Sequence, residues 1–307
     1  MRVIAVVGPT AVGKSSLAVK LAKKYNGEII SCDSMQIYRG MDIGTAKITP
    51  EEAEGIPHHL IDILEPWEQF SCADYAVLAK KAVDDIISRG KTPIFCGGTG
   101  LYLDSVLEIS SFGETYADEE LRHSLEEFAN KNGASALHDM LREVDPESAE
   151  AIHANNVKRV IRALEIYKCA GKPKSVIDKE NKKAPSPYDP TVFFLTCEDK
   201  ELLYSRIEKR VDIMMDSGLL SEARRLYDTG VFERSKTASA AIGYKELLPY
   251  LKGECSLDAC INQLKLSTRH YAKRQLTWFK RKSNYITVYT DKADAFSEAV
   301  KILGDKL

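Results

Sequence analysis

Short unbroken apolar runs alternate with segments carrying apolar residues every three to four positions, and these two patterns organise the first third of the chain. Val3–Val7, Glu28–Cys32 and Pro93–Cys96 read as buried strands. Gly13–Tyr25, Ser71–Arg89 and Leu101–Leu107 read as helices, the first with Leu17, Leu21, Ala18 and Ala22 on one stripe. Such alternation predicts a parallel sheet with right-handed crossovers. Ser110–Glu114 interrupts it with small and polar residues. Four helical segments follow: Asp118–Asn130, Ala134–Val144, Pro146–His153 and Asn156–Ala170, the last closed by Gly171 and Pro173. Residues 114–184 are therefore expected to form a helical insertion domain, with the proline-rich stretch Lys182–Pro190 as the linker back. Thr191–Cys197 resumes the strand pattern, so residues 1–113 and 185–307 together should make the α/β core. Helices then dominate (Lys200–Asp216, Ser221–Thr229, Ala240–Leu251 and Leu257–Arg281) before a strand at Tyr285–Tyr289 and a helix at Ala293–Leu303.

Composition changes this picture little. The 307 residues are 44% hydrophobic and 29% charged, enough for a real core. No apolar stretch has the length of a membrane span, and the start, MRVIAVVGPT, lacks the succession of a signal peptide. Seven cysteines, an odd number without C-x-x-C spacing, read as reduced thiols in a cytoplasmic protein. Charge is more informative. The net value is −2, yet Ala259–Thr290 holds seven basic residues and no acid, and Asn156–Lys174 is +5. Such segregation predicts a basic face on an acidic body, suited to nucleic acid; the plainer alternative is a set of solvated helix faces.

Three segments carry candidate chemistry. The first is GPTAVGKS: Gly8, Pro9, Thr10, Ala11, Val12, Gly13, Lys14 and Ser15. It fits the full phosphate-loop pattern, follows a strand and opens a helix. Its glycines let amides turn around phosphate oxygens, Lys14 adds a charge, and the Ser15 hydroxyl can reach Mg²⁺. A nucleotide hydrolase would place an acid after another strand. PIFC instead runs into GGTG, leaving Asp62 as the other candidate. The second segment is DSMQIYRGMDIGTAK, Asp33–Lys47. Ligands of open parallel sheets bind beyond the carboxyl ends of strands, so Asp33 and Thr99 should share the phosphate-loop edge, with Gln36 nearby. Asp33 could hold metal, take a proton, or simply cap a turn. The third is Leu257–Arg281. Leu257, Ile261, Leu264, Thr268 and Tyr271 should pack inward. Lys265, Arg269 and Lys273 recur on another face, joined by Arg274 and interleaved with Tyr271, Trp278 and Phe279. Cations between rings suit an RNA backbone and an unstacked base, though Phe279 is expected in the core.

At these segments the chain resembles the tRNA dimethylallyltransferases. The resemblance extends through PHHLIDILEP, FSCADY, RGKTPIFCGGTGLYL, RVIRALEIY, AIGYKE and TRHYAKRQLTWF, in the family's order from residue 8 to 279. Asn155-Asn156 stands where Asn-Asp is expected, and the end at 307 without a zinc-finger extension is similar to the bacterial form.

The resemblance implies a P-loop NTPase-like core whose loop holds dimethylallyl diphosphate, with Mg²⁺ as cofactor and no nucleotide consumed. The acceptor it implies is adenosine 37 in the anticodon stem-loop of a tRNA. Asp33 matches the family's general base, Thr99 its supporting hydroxyl and Arg210 a diphosphate ligand. The tRNA contacts match Asp33, Ser34, Met35, Gln36, Thr99 and Arg122. They continue through Lys158, Arg159, Val160, Ile161 and Arg162 to Ala240, Ala241, Ile242, Gly243, Tyr244 and Lys245. A basic two-domain clamp needs no partner, so a monomer is expected. Two other readings share parts of the pattern. A small-molecule kinase would use the loop but not the basic segments; a non-catalytic RNA-binding module would use those segments but not Asp33 and Thr99.

Overall fold

The computed structural model describes residues 1–107, 118–182 and 186–304. The chain divides into two compact units, Met1–Leu107 with Pro187–Leu307, and Glu108–Ser186. The expected borders at 113/114 and 184/185, and the break at Ser110–Glu114, lie outside the described residues.

In the first unit, β1 (Arg2–Val7) leads into α1 (Lys14–Lys24), β2 (Gly27–Ser31), α2 (Pro50–Ala53) and β3 (His58–His59). Next come α3 (Cys72–Ser88), β4 (Thr92–Gly97) and α4 (Gly100–Leu107). The second unit holds α5 (Glu119–Asn132), α6 (Ala134–Val144), α7 (Pro146–Ala151), α8 (Val157–Ala170) and α9 (Lys174–Lys182). The chain then returns with β5 (Asp189–Thr196), α10 (Lys200–Asp216), α11 (Leu219–Asp228), α12 (Val231–Arg234), α13 (Lys236–Ala240) and α14 (Leu248–Leu251). It closes with α15 (Leu257–Phe279), β6 (Ile286–Tyr289) and α16 (Ala295–Gly304).

The sheet is six-stranded, wholly parallel and ordered β3-β2-β4-β1-β5-β6. β1 sits inside it, which is why Val3–Val7 are all buried: a central parallel strand is covered on both faces. One apolar layer packs α1 and α16 against Ile4, Val6, Ile94, Phe193 and Leu195. The opposite layer packs α3, α4 and the end of α15 against Ala5, Ile30, Phe95 and Phe194, with Phe279 buried there. The helical unit has its own core of Leu125, Leu137, Leu141, Val160, Ile161 and Leu164. Among the described residues, no helix is long and apolar enough to cross a membrane.

Three local expectations are corrected. Ala240–Leu251 is not one helix: Gly243 takes φ +103°, outside helical space, and Pro249 cannot donate a helical amide, so turns separate α13 from α14. β5 begins within the expected linker, at Asp189. The basic helix α15 ends at Phe279, two residues short of Arg281.

Candidate active site at the carboxyl edge of the sheet

The loop between β1 and α1 is shaped by backbone conformation. Ala11 and Gly13 have φ of 65° and 82°, left-handed values of the kind that turn successive amides inward ahead of a helix. Gly8 has no substitute, because a Cβ there would lie 2.2 Å from the Leu195 carbonyl oxygen of β5. Half-buried Lys14 donates from Nζ to the Pro9 carbonyl at 2.7 Å. Burial pushes its ammonium down to about 8; Cys96 opposes this, Arg210 adds to it, and Asp33 opposes it.

Asp33 leaves the end of β2 and accepts the Met35 amide on Oδ1 at 2.9 Å. Burial pushes its carboxyl above the usual range, against the pull of the Met35 and Gln36 amides, Lys14 and Arg210. Thr99, just beyond β4, is stitched to the same corner. Its amide donates to the Cys32 carbonyl at 3.0 Å, and its Oγ1 accepts the Ser34 amide at 3.2 Å. Arg210 comes from α10; burial holds its guanidinium below its usual value, with Asp33 and Glu52 opposing. Lys14, Asp33 and Arg210 therefore sense one another's charge across one site, and Thr99 borders it.

The segment after Asp33 is braced from below. The Gln36 side chain donates to the Thr45 and Ala46 carbonyls at 3.2 Å and accepts the Ser31 hydroxyl at 3.1 Å. Buried Glu222 accepts the amides of Asp42, Ile43 and Gly44, each at 3.0 Å, and the Tyr244 hydroxyl at 2.7 Å. A Cβ on Gly44 would fall 2.5 Å from the Tyr244 ring. Asp62 is not a free acid at the site: Lys47 pairs with it and with Asp42.

The residues singled out for RNA contact divide by exposure. Lys158 and Arg159 are exposed, whereas Val160 and Ile161 are buried in the core of the helical unit, as helical periodicity requires of neighbours on the opposite face. Arg122 and Arg162 converge on Glu165, which is fully buried; Arg122 Nε lies 2.7 Å and Arg162 Nη1 2.6 Å from its carboxylate, and the Asp118 amide donates at 2.9 Å. Ala240 and Lys245 are exposed, Ile242 is half-buried, and Ala241, Gly243 and Tyr244 are buried. On α15, Lys265 pairs with Asp212 at 2.6 Å and Arg269 pairs with Glu208, both acids on α10. Lys273 and Arg274 are exposed, the latter 5.6 Å from the Tyr271 ring.

Three residues of α15 border the glycine-rich turn after β4: Tyr271 and Trp278, expected only as inward-packing or RNA-facing rings, and Gln275, which the pattern of the chain did not mark. Gln275 is 5% exposed; Tyr271 lies within hydrogen-bonding reach of Thr99 and Gln275; Trp278 donates from Nε1 to Asp104 at 3.2 Å. A Cβ on Gly98 would meet Gln275 Nε2 at 2.0 Å, and one on Gly100 would meet the Trp278 ring at 2.3 Å. The glycines of GGTG are thus the imprint of α15. The spacing i, i+4, i+7 of Tyr271, Gln275 and Trp278 opposite a glycine-rich turn is the signal that could have found them.

Residues 36–282 match the model of the IPP transferase family. The chain belongs to that family. It is 52% identical to the tRNA dimethylallyltransferase of Halalkalibacterium halodurans over 283 residues, covering 92% of this chain and 89% of that protein. It is 49% identical to the tRNA dimethylallyltransferase of Lachnoclostridium phytofermentans over 307 residues, covering 99% and 97%. Among solved structures, a eukaryotic dimethylallyltransferase acting on tRNA aligns with a TM-score of 0.86 at 32% identity, covering 99% of this chain and 79% of that one. Family membership accounts for a P-loop-like α/β core in a prenyltransferase.

Proposed function

We propose that the core unit moves a dimethylallyl group from dimethylallyl diphosphate to the exocyclic amine of adenosine 37 of a tRNA. The observation that supports this most directly is the meeting of Lys14, Arg210 and Asp33 at a phosphate loop in a chain of this family. The amides of Ala11–Ser15, with Lys14 and Arg210, grip the diphosphate. The target base leaves the anticodon-loop stack to reach the sheet edge. Its amine nitrogen bonds to the prenyl carbon as the carbon–oxygen bond breaks, and the electron pair departs with diphosphate. Asp33, its carboxylate raised by burial and so a better base than a solvated one, takes the amine proton. Thr99 fixes the corner that carries Asp33 and offers its hydroxyl to the acceptor. Cations and amides in place before reaction stabilise the growing charge on the leaving group.

A divalent cation fits this site in a limited way. Among the described residues no cluster of three His, Cys, Asp or Glu side chains exists to cage one. Ser15, at the start of α1, would hold Mg²⁺ together with diphosphate oxygens and water, the habit of a cation that keeps few protein ligands. Bound there, Mg²⁺ supplies charge neutralisation to the leaving group.

For RNA we infer that Lys158, Arg159 and the Glu165-ordered pair Arg122 and Arg162 serve in the helical unit. In the core unit Ser34, Met35, Gln36, Lys245, Lys273 and Arg274 serve the same end. The protein would act as a monomer in the cytoplasm. The test is product identity: unmodified tRNA is incubated with labelled dimethylallyl diphosphate, digested to nucleosides and separated. Label on N6 of one adenosine is the expected result; label on another nucleoside, or none, would overturn the reading.

A further inference from the structure

The two halves of the proposed chemistry lie on different connections: the loop after β1 grips diphosphate, while the turns after β2 and β4 carry Asp33 and Thr99. One buried side chain joins them. Gln275 Oε1 accepts the Thr10 amide at 3.0 Å, and its Nε2 donates to the Gly98 carbonyl at 3.0 Å. The partners fix the amide's orientation, since an N–H needs the oxygen and a carbonyl needs the nitrogen. From Gly98 the connection continues through its neighbour Thr99, which holds the Ser34 amide, to Asp33. Gly98 has no Cβ because Gln275 occupies that space, so the contact is built from both sides.

We propose that Gln275 is a positioning residue that sets the distance between the diphosphate loop and the Asp33–Thr99 corner. This rests on the prenyl-transfer reading above. Three features favour it over ordinary packing. A buried glutamine with both ends on backbone is costly to leave half-satisfied, so the two turns are held together or not at all. Its backbone hydrogen bonds reach the loop and the turn rather than the charged groups of the site. It also stands on α15, one turn after Tyr271, which reaches Thr99, so the helix touches the corner twice.

The consequence is a split between binding and rate. Each turn keeps its local structure without Gln275, so substrates bind, but the prenyl carbon and the acceptor amine lose their register. A misplacement of about 1 Å costs on the order of a hundredfold in rate. Two variants test this. Gln275→Met removes both hydrogen bonds at similar volume. Gln275→Glu keeps the acceptor for Thr10 and sets an oxygen against the Gly98 carbonyl. Single-turnover transfer is measured together with the affinities for inorganic diphosphate and for tRNA. The expectation is a rate loss of about ten- to a hundredfold in both variants, with each affinity of Gln275→Met within about threefold of wild type and its pH profile unshifted. Rates within about threefold of wild type would overturn the proposal, as would a rate loss in Gln275→Met matched by a fall in diphosphate affinity. Failure of both variants to fold would assign Gln275 to stability alone and overturn it equally. Absence of transfer by the wild-type protein would instead sink the prenyl-transfer reading.

Discussion

Replacing Asp33 separates a base from a scaffold. In Asp33→Asn the side chain keeps an oxygen where Oδ1 accepts the Met35 amide at 2.9 Å, so the turn after β2 should survive. It cannot accept a proton. A positioned general base is worth about two to four powers of ten, or about 3–5 kcal/mol of barrier. Asp33→Asn and Asp33→Ala should therefore both lose roughly that much in single-turnover transfer while binding tRNA normally. Stability supplies an independent sign. Burial raises the folded-state pKa of Asp33, so its ionisation costs stability, which begins to be lost as pH rises through the unfolded-state pKa and is fully lost above the folded one; at pH 7 the Asp33→Asn variant should melt at or above the wild-type temperature. A turn-capping role would predict the opposite, a loss of about 1 kcal/mol. Electrostatics supply a third. Asp33 holds the Lys14 ammonium up, so removing it should lower the Lys14 pKa further and move the alkaline limb of kcat/KM, expected near 8 in wild type, to lower pH. The assay is transfer across a pH and Mg²⁺ series. Full recovery of Asp33→Asn at high Mg²⁺ would show that Asp33 is a metal ligand, and near-wild-type rates in both variants would remove it from the chemistry.

Other consequences are simpler to check. Lys14→Ala should cost about 2–4 kcal/mol of transition-state stabilisation and leave tRNA affinity unchanged in filter binding; a parallel fall in tRNA binding would contradict this. On α15, reversing Lys273 and Arg274 should lower the log–log salt slope of tRNA binding by about one for each phosphate no longer neutralised, whereas reversing Lys265 and Arg269, already paired with Asp212 and Glu208, should change it less. Equal slopes from the two pairs would refute that distinction. Burial alone would raise the Glu165 carboxyl, but the Asp118 amide, Arg162 and Arg122 overcome it and hold the group low. Its stabilising contribution is therefore present above the unfolded-state pKa and lost as pH falls through the folded one. Glu165→Ala should destabilise the helical unit by about 1–3 kcal/mol and weaken tRNA binding, read by thermal melting and filter binding; an unchanged melt would show the cluster to be ornamental.

What the chain announced about itself was local. The run Val3–Val7 followed by GPTAVGKS is strand, loop and helix in consecutive residues, so periodicity and glycine placement suffice to locate that turn. Asp33 and Thr99 were legible because parallel topology sends the ends of β2 and β4 to one edge. His58–His59, too short for any period, hid a sixth strand, and AIGYKE looked helical until Gly243 adopted its positive φ. The pairing of Lys265 and Arg269 with α10, and the reach of Gln275 to Thr10 and Gly98, depend on which elements lie side by side. A single sequence carries no period for such contacts. Val160 and Ile161 show the converse: a match of motif names a segment, and burial decides which of its side chains can touch a ligand.

The central claim is that the phosphate loop holds a leaving group and spends no nucleotide. Its most direct test is stoichiometry: prenyl incorporated into tRNA and diphosphate released, measured together with and without ATP. One diphosphate per prenyl group is expected, unchanged when ATP is omitted. Transfer that required ATP, or nucleotide hydrolysis coupled to each turnover, would contradict it.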